Sequence, residues 1–325
     1  MALKYCAEVT EELALPISTR SLRGARVFHS PLSAPCEQVM RQKRLAKIVT
    51  VQDIIPIKFP QFFAGDSEAQ GVREVLKAAS SPGVWVHCVS EATKRDLLEY
   101  LPKLPPERVF VAYTGVRESL GGGLLPQPAE GVLTRYGLEA GQPYFLSVCT
   151  LEPRKNISRL IAAFQLLARE RGADWPGRLV LAGGAGWLVD KVQEALDLYP
   201  EVREKILLTG FVPDEDLAVL YANARAFAFP SLYEGFGLPV IEAMRLGAPV
   251  ITSNVSSMPE AAGGAALLVN PRSIEELAEA LTRLENDAAL RAEQVEKGKL
   301  WSAKFTPKAC AEAVLDGYKR AVTDP

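Results

Sequence analysis

Two carboxylates eight positions apart, Glu234 and Glu242, stand in the stretch SLYEGFGLPVIEAM (231–244), with two glycines and a proline between them. A continuous helix through this stretch would lose roughly 1 kcal/mol at each glycine and about 3 kcal/mol at the proline. The break is therefore the feature to explain. Proline suits the opening of a helix and GFG permits a close main-chain approach. The expected order is a strand-side Glu234, a turn, and a helix whose first residue is Pro239 and whose first turn holds Glu242. Main-chain N–H groups at such a helix start, helped by the helix dipole, attract an anion. The chemistry on offer is a grip on a phosphate-bearing ligand with one carboxylate at each end. The competing use of two carboxylates is the acid/base pair of glycoside hydrolysis, which needs the carboxyls about 5–9 Å apart across a scissile bond.

A second group is TLEPRKN (150–156), where Arg154 and Lys155 stand just ahead of an apolar helical pattern. Cations at a helix N-terminus oppose its dipole. Two in a row make sense with an anion between them and the helix end; on spacing alone, a solvated surface pair serves equally well. Other constellations are missing from the sequence. It has no GxxxxGK[ST] loop, no HExxH, no Cys/His cluster, no EF-hand loop and no GxSxG elbow. That removes the P-loop NTPases, dedicated metal cages and an elbow serine from consideration. LAGGAGW (181–187) misses the GxGxxG spacing of a dinucleotide site. The acidic run Asp214–Glu215–Asp216 reads as a helix N-cap with favourable dipole charge rather than a metal motif. The two histidines, His29 and His87, fall inside strand-like runs and read as packed residues.

These residues need elements to hold them. ARVFHS (25–30), KIVTVQD (47–53), VWVHCVS (84–90) and RVFVAYTGV (108–116) read as buried strands. Each leads into a polar turn and usually a helix, as in EATKRDLLEYL with Ser90 as its N-cap. A Gly- and Pro-rich stretch, 121–142, reads as a linker. The rhythm restarts with PYFLSVCTL (143–151) and the helix NISRLIAAFQLLARE. It continues through strands RLVLAGGAG, KILLTGFV, AFAFPS, APVITSN and AALLVN to a helical tail from Ile274. Strand–helix alternation on both sides of a linker predicts an α/β fold of two Rossmann-like parallel-sheet domains, 1–120 and 143–300, followed by a last helix in 301–325. Ligands of such sheets sit beyond the carboxyl ends of the strands, so the expected site is a cleft where the domains face each other.

Composition sets the class. Of 325 residues 48% are hydrophobic, enough for two packed domains, and the net charge of −2 gives no reason to expect nucleic-acid binding. Residues 1–135 carry 17 Lys and Arg against 14 Asp and Glu, while the remainder carries 20 against 25. The densest basic run, RQKRLAK (41–47), reads as a solvated helix face or as a patch that meets an anionic acceptor or a membrane surface. Five scattered cysteines without a CxxC pair favour a reducing compartment. The N-terminus mixes acids into its apolar positions unlike a signal peptide, and no apolar run approaches the ~20 residues of a membrane span. A cytoplasmic chain is expected.

Three longer stretches carry a resemblance. YFLSVCTLEPRKNISRLIAAF, LLTGFVPDEDLAVLYANARAFAFPSLYEGFGLPVIEAM and APVITSNVSSMPEAAGGAALLVNP resemble the retaining family-4 glycosyltransferases of the GT-B fold, nearly continuously from about residue 143 to 285. The subgroup is that of bacterial mannosyl- and hexosyltransferases of surface polysaccharide assembly. VSEATKRDL, VAYTGV and TVQDIIPIKFP match more weakly. Where many relatives carry His-Asp this chain has Gln52-Asp53, and Gln52 can hydrogen-bond a sugar hydroxyl but cannot carry a proton. Relatives also open with a strand and a glycine-rich loop that nothing in residues 1–24 resembles. The N-terminal domain is therefore expected to be shortened, with a partner subunit or oligomer as one way of completing it.

The resemblance implies a hexosyltransferase that takes a nucleoside diphosphate sugar, GDP-mannose first, and acts with retention on a saccharide or lipid-linked acceptor. It implies no cofactor and no metal. Arg154 and Lys155 would neutralise the donor diphosphate, with Glu234 near the donor sugar hydroxyls and Glu242 on the nucleotide ribose. The main chain of Gly235, Phe236, Gly237 and Leu238 would lie along the sugar and phosphates, and Gln52 and Asp53 would contact donor or acceptor. The first domain would take the acceptor, 143–300 the donor, and the last helix would cross back to the first domain. A protein at the inner face of the membrane is the implied setting. The rival expectation is a non-catalytic sugar-nucleotide-binding module or partner subunit.

Overall fold

The computed structural model describes residues 22, 24–63, 65–120, 129–184, 186 and 190–323. The first domain runs β1 (Val27–Ser30), α1 (Glu37–Met40), β2 (Ala46–Val51), α2 (Ile55–Lys58), α3 (Ser67–Ala79), β3 (Val84–Cys88), α4 (Glu91–Tyr100) and β4 (Val109–Val111). After α5 (Ala129–Arg135) the second domain runs β5 (Tyr144–Val148), α6 (Ile157–Arg171), β6 (Arg178–Ala182), α7 (Asp190–Asp197), β7 (Ile206–Gly210) and α8 (Asp214–Asn223). It continues with β8 (Ala226–Phe229), α9 (Leu238–Arg245), β9 (Val250–Ser253), α10 (Met258–Ala262), β10 (Leu267–Val269), α11 (Ile274–Asn286) and α12 (Ala288–Ser302), and α13 (Pro307–Thr323) ends the described chain.

Each domain is built on a sheet of parallel strands, ordered β1-β2-β3-β4 in the first and β10-β9-β8-β5-β6-β7 in the second. Parallel strands covered on both faces are predominantly apolar, and every residue of β2, β3 and β8 is buried. This is the α/β, GT-B arrangement of two Rossmann-like domains. In the second domain Phe145, Leu179 and Ile251 pack with α6 and α11 on one face, while Leu146, Val180 and Phe227 pack with α8 and α9 on the other. The expected strands all form, and Ser90 caps α4 by accepting the Thr93 N–H at 2.9 Å.

The stretch 121–142 is less loose than its composition suggests. Residues 121–128 lie outside the described residues, but α5 follows and buries Val132 and Leu133 in the main core of the second domain. Two adjacent apolar residues in a seven-residue helix are too weak a pattern to stand out beside so many Gly and Pro. The tail divides into three helices, and α13 starts at Pro307, because residues 301 and 302 still belong to α12. Tyr318, Ala321 and Val322 of α13 pack on Ala46, Ile48, Trp85 and Phe110, so this helix lies on the sheet of the first domain. Phe305, just before it, is buried against Tyr113 and Phe236.

The histidines belong to the packing of that sheet. His29 Nε2 and Thr50 Oγ1 are 2.7 Å apart, Thr50 Oγ1 and His87 Nδ1 3.0 Å, and His87 Nε2 donates to the Ala112 carbonyl at 2.9 Å. Burial, with His87 nearby, pulls the His29 pKa down to about 4, so both rings stay neutral near pH 7. Among the described residues no helix is long and apolar enough to cross a membrane. The expected shortening of the first domain concerns residues 1–24, of which 1–21 and 23 lie outside the described residues.

Candidate active site

After β8 the chain turns through residues 230–237 before α9 begins. Gly237 caps α9 with φ 110°, a backbone value that favours glycine, so the first helical residue is Leu238 and Pro239 is the second. This corrects the expected helix start. Glu242 is therefore the fifth helical residue rather than the fourth, just past the first turn, and it is only 6% exposed. Gly235 is required by close approach: a Cβ there would stand 2.5 Å from the Gln52 carbonyl oxygen in the first domain. The N–H groups of Gly235, Phe236, Gly237 and Leu238 have no acceptor among the described residues. Four donors at a helix start thus remain for a ligand. Phe236 contributes only its main chain, because its ring is buried and stacks on Tyr113 at 5.4 Å.

Arg154 and Lys155 sit in a single 3₁₀ turn, Pro153–Lys155, between β5 and α6. Asn156 ends it with φ 62°, a left-handed conformation that asparagine tolerates better than most residues. The Asn156 amide donates to the Pro230 carbonyl at 3.0 Å and to the Pro271 carbonyl at 2.7 Å. The cation turn is thereby pinned to the start of the glutamate turn.

The two turns meet at Glu234. Its carboxylate takes Arg154 Nη1 at 2.5 Å, Lys155 Nζ at 2.7 Å and the Ser231 hydroxyl at 2.6 Å. All three charged side chains are at most 15% exposed. Burial pushes the Glu234 pKa up, but Lys155 and then Arg154 outweigh it and hold the carboxyl below its usual value. Glu234 is therefore an ionised acceptor near neutral pH and no proton donor. The second Arg154 arm binds Glu152 at 2.5 Å, so Glu152, Arg154, Lys155 and Glu234 sum to zero charge. The Glu234 main chain is held by Ser256, which accepts its N–H at 2.9 Å, and by Ser257, which donates to its carbonyl at 2.9 Å.

Asp53 of the first domain joins this cluster. Its Oδ1 accepts the Ile55 N–H at 2.9 Å, and burial raises its pKa despite the nearby Arg154 and Lys155. Gln52 is exposed, and its side-chain amide donates to the Pro31 carbonyl at 3.4 Å. A cavity of about 250 Å³ opens beside them, between Gln52, Asp53, Phe63, Glu68 and Arg154.

Glu242 has different company. Arg117 Nη2 stands 3.6 Å away, and the same guanidinium binds Asp214 at 2.9 Å, where the Ser119 hydroxyl also donates. Burial raises the Glu242 pKa, with Arg117 opposing it. The acidic run thus occupies the first turn of α8 behind a Pro213 cap, rather than capping the helix itself. Asp214 holds Arg117, and Asp216 binds Arg135 at 2.5 Å and the Tyr136 hydroxyl at 2.7 Å. Arg117, Ser256 and Ser257 were given no role by sequence reasoning; Arg117 follows a strand in an unremarkable context and carries no spacing signal. Among the described residues no group of three or more His, Cys, Asp or Glu side chains is placed to hold a metal ion.

A family model described as "Glycosyl transferases group 1" matches residues 134–301, just over half the chain. The O-antigen chain mannosyltransferase B of Escherichia coli is 33% identical over 276 residues, which covers 84% of this chain and 70% of that protein. The serotype-specific mannosyltransferase WbdA of Escherichia coli is 29% identical over the same length, but the chain spans only 33% of it. Among solved structures, Anabaena Alr3699/HepE in complex with UDP and glucose aligns with a TM-score of 0.66 at 19% identity, over 85% of this chain and 72% of that one. The matched region contains both the cation turn and the glutamate turn, and the chain belongs to the glycosyl transferases group 1.

Proposed function

We propose that the chain is a hexosyltransferase of glycan biosynthesis that moves mannose, first among hexoses, from a nucleoside diphosphate sugar to a saccharide or lipid-linked acceptor with retention at the anomeric carbon. The single observation that carries the donor site is the turn 235–238, with four unused main-chain donors, set directly beside Arg154, Lys155 and Glu234. A diphosphate lies along those N–H groups and shares the two cations with Glu234. The ionised Glu234 accepts hydrogen bonds from the sugar hydroxyls. Glu242, deeper in α9, faces the nucleoside end. The mannose-specific part rests on the printed activities of the two Escherichia coli relatives.

In the reaction the bond from the anomeric carbon to the diphosphate oxygen breaks, and a bond to the acceptor oxygen forms on the same face. The acceptor's hydroxyl proton passes to the departing phosphate oxygen. Charge building up on that oxygen meets Lys155, Arg154 and the turn N–H groups, already fixed before the reaction. In this reading no resident metal or cofactor is needed. The cavity beside Gln52 and Asp53 receives the acceptor. A lipid-linked acceptor would bring the chain to the inner face of a membrane, with the exposed Arg41, Lys43 and Arg44 available to anionic headgroups. Calorimetric titration with GDP, UDP, ADP and their sugars, followed by NMR of the product anomer, tests the whole reading. Binding of GDP-mannose and an anomer matching the donor's are expected; no binding of any nucleotide, or an inverted product, overturns it.

A further inference from the structure

The glutamate turn is held from both domains. Its Gly235 carbonyl accepts two hydroxyl hydrogen bonds from the first domain, from Ser90 at 2.5 Å and from Thr93 at 3.0 Å. Ser90 is the cap of α4, and Thr93 lies in the first turn of that helix. A second tie runs the opposite way. Glu260 on α10 of the second domain places its two carboxylate oxygens on the first free N–H groups of α4, Glu91 at 2.7 Å and Ala92 at 3.1 Å. A helix N-terminus favours a carboxylate, so this tie is charge-assisted on both counts. Tyr113 of the first domain lies against the same carboxylate; burial and then Glu260 raise the pKa of its hydroxyl.

Both ties converge on residues that hold the turn. Glu260 is three and four positions beyond Ser257 and Ser256, which bind the main chain of Glu234. The Gly235 carbonyl and the Phe236 N–H belong to one planar trans peptide and point in opposite directions. Fixing the carbonyl on Ser90 and Thr93 therefore fixes where the Phe236 N–H points, and that N–H is one of the four free donors of the site. The absence of a Cβ at Gly235 lets the turn come within reach of α4 at all.

We infer that Ser90, Thr93 and Glu260 are positioning residues that couple the seating of the first domain to the aim of the donor-binding turn. None of them touches the reacting atoms. When the domains part, the Gly235 peptide loses its two hydroxyl donors and α4 loses its carboxylate together. The donor site is complete only while the acceptor domain sits on it, which ties donor capture to a formed cleft. This inference rests on the donor-site reading above.

The test is calorimetric affinity for GDP-mannose, with hydrogen exchange over residues 231–244, in the full chain. Thr93→Val keeps shape and removes the hydroxyl; Thr93→Ser keeps the hydroxyl; Glu260→Gln weakens the second tie from the other domain. Thr93→Val and Glu260→Gln should each bind GDP-mannose five- to tenfold more weakly and exchange faster across the turn, while Thr93→Ser stays within about twofold of the wild type. Equal loss in Thr93→Ser and Thr93→Val would make the position merely structural and overturn the inference. Wild-type affinity in both Thr93→Val and Glu260→Gln overturns it as well. If the wild type itself binds no nucleotide sugar, the donor-site reading falls and this coupling with it; binding with unmoved variants removes the coupling alone.

Discussion

Glu234 and Glu242 come from one motif and end in opposite electrostatic environments. Glu234 is nearly enclosed, yet two cations and a hydroxyl hold it ionised below the usual carboxyl range. Glu242 is as deeply placed, but its cation stands 3.6 Å off and is bound more closely to Asp214, so burial wins and its pKa rises. Burial alone does not decide the charge of a carboxylate; the distance and freedom of its partner do. In the proposed donor site the difference also separates the roles. A firmly ionised carboxylate suits sugar hydroxyls beside a diphosphate, and a loosely paired one is free to exchange its partner for ribose hydroxyls.

Breaking the Glu234 side should have the largest effect. Arg154→Ala leaves Glu152 without its cation and Glu234 with Lys155 alone, both buried. We expect a loss of about 3–5 kcal/mol in denaturant unfolding. Lys155→Ala should cost less stability and weaken nucleotide-sugar binding at least tenfold by calorimetry, because a diphosphate loses a charge-assisted partner. Unchanged donor affinity would remove Lys155 from the site.

Neutral amides at the two positions should then separate the glutamates. Glu234→Gln leaves Arg154 and Lys155 facing an amide, and turnover should fall roughly 10- to 100-fold, more than GDP affinity does. Glu242→Gln removes a charge that burial already disfavours. Its stability should stay within about 1 kcal/mol of the wild type, while GDP affinity falls. Equal destabilisation by the two amides would erase the comparison.

The same contrast predicts opposite pH slopes. The Glu234 carboxyl has its folded pKa below the ordinary 4.5. Its stabilisation is complete above 4.5 and disappears as the pH falls through the folded value. Glu242 has a folded pKa above 4.5, so its ionisation destabilises the fold at neutral pH. That penalty is relieved as the pH falls through its folded value towards 4.5. Melting temperatures of the two amide variants against pH should show this: Glu242→Gln loses the gain on mild acidification, and Glu234→Gln loses the decline below 4.5. Parallel curves would contradict the opposed pKa shifts.

Much of the scaffold was legible because most strands are short, predominantly apolar runs bounded by turn residues, as strands of a buried parallel sheet are. The broken helix at Gly235–Pro239 was legible for the same local reason. What the sequence hid is long-range. Nothing near Arg154 shows that Glu234, 80 positions later, will take its guanidinium, and nothing near Ser90 points to Gly235. Glu242 was placed one residue too early in its helix because a cap at Gly237, rather than a start at Pro239, depends on a positive φ that GFG allows but does not specify. The helix in 129–135 escaped because it shows its apolar residues only where the second domain's core receives them.

Arg117 offers the smallest and most discriminating test. Its side chain is 58% exposed, so solvent screens its pairing with Glu242, and Arg117→Ala should cost no more than about 1 kcal/mol at neutral pH. Its effect on Glu242 should be clearer than its effect on the fold. Arg117 is the foremost influence opposing burial at that carboxyl. Without it the folded pKa of Glu242 climbs further, and the stability gain on acidification should begin at a higher pH. In a Glu242→Gln background the same Arg117→Ala change no longer has the Glu242 carboxyl to act on, so the part of the pH shift that belongs to Glu242 should vanish between the single and double variants. A shift that persists in the double variant would assign it to Asp214, the nearer partner of the guanidinium, and the loose pairing that distinguishes Glu242 from Glu234 would no longer explain its raised pKa.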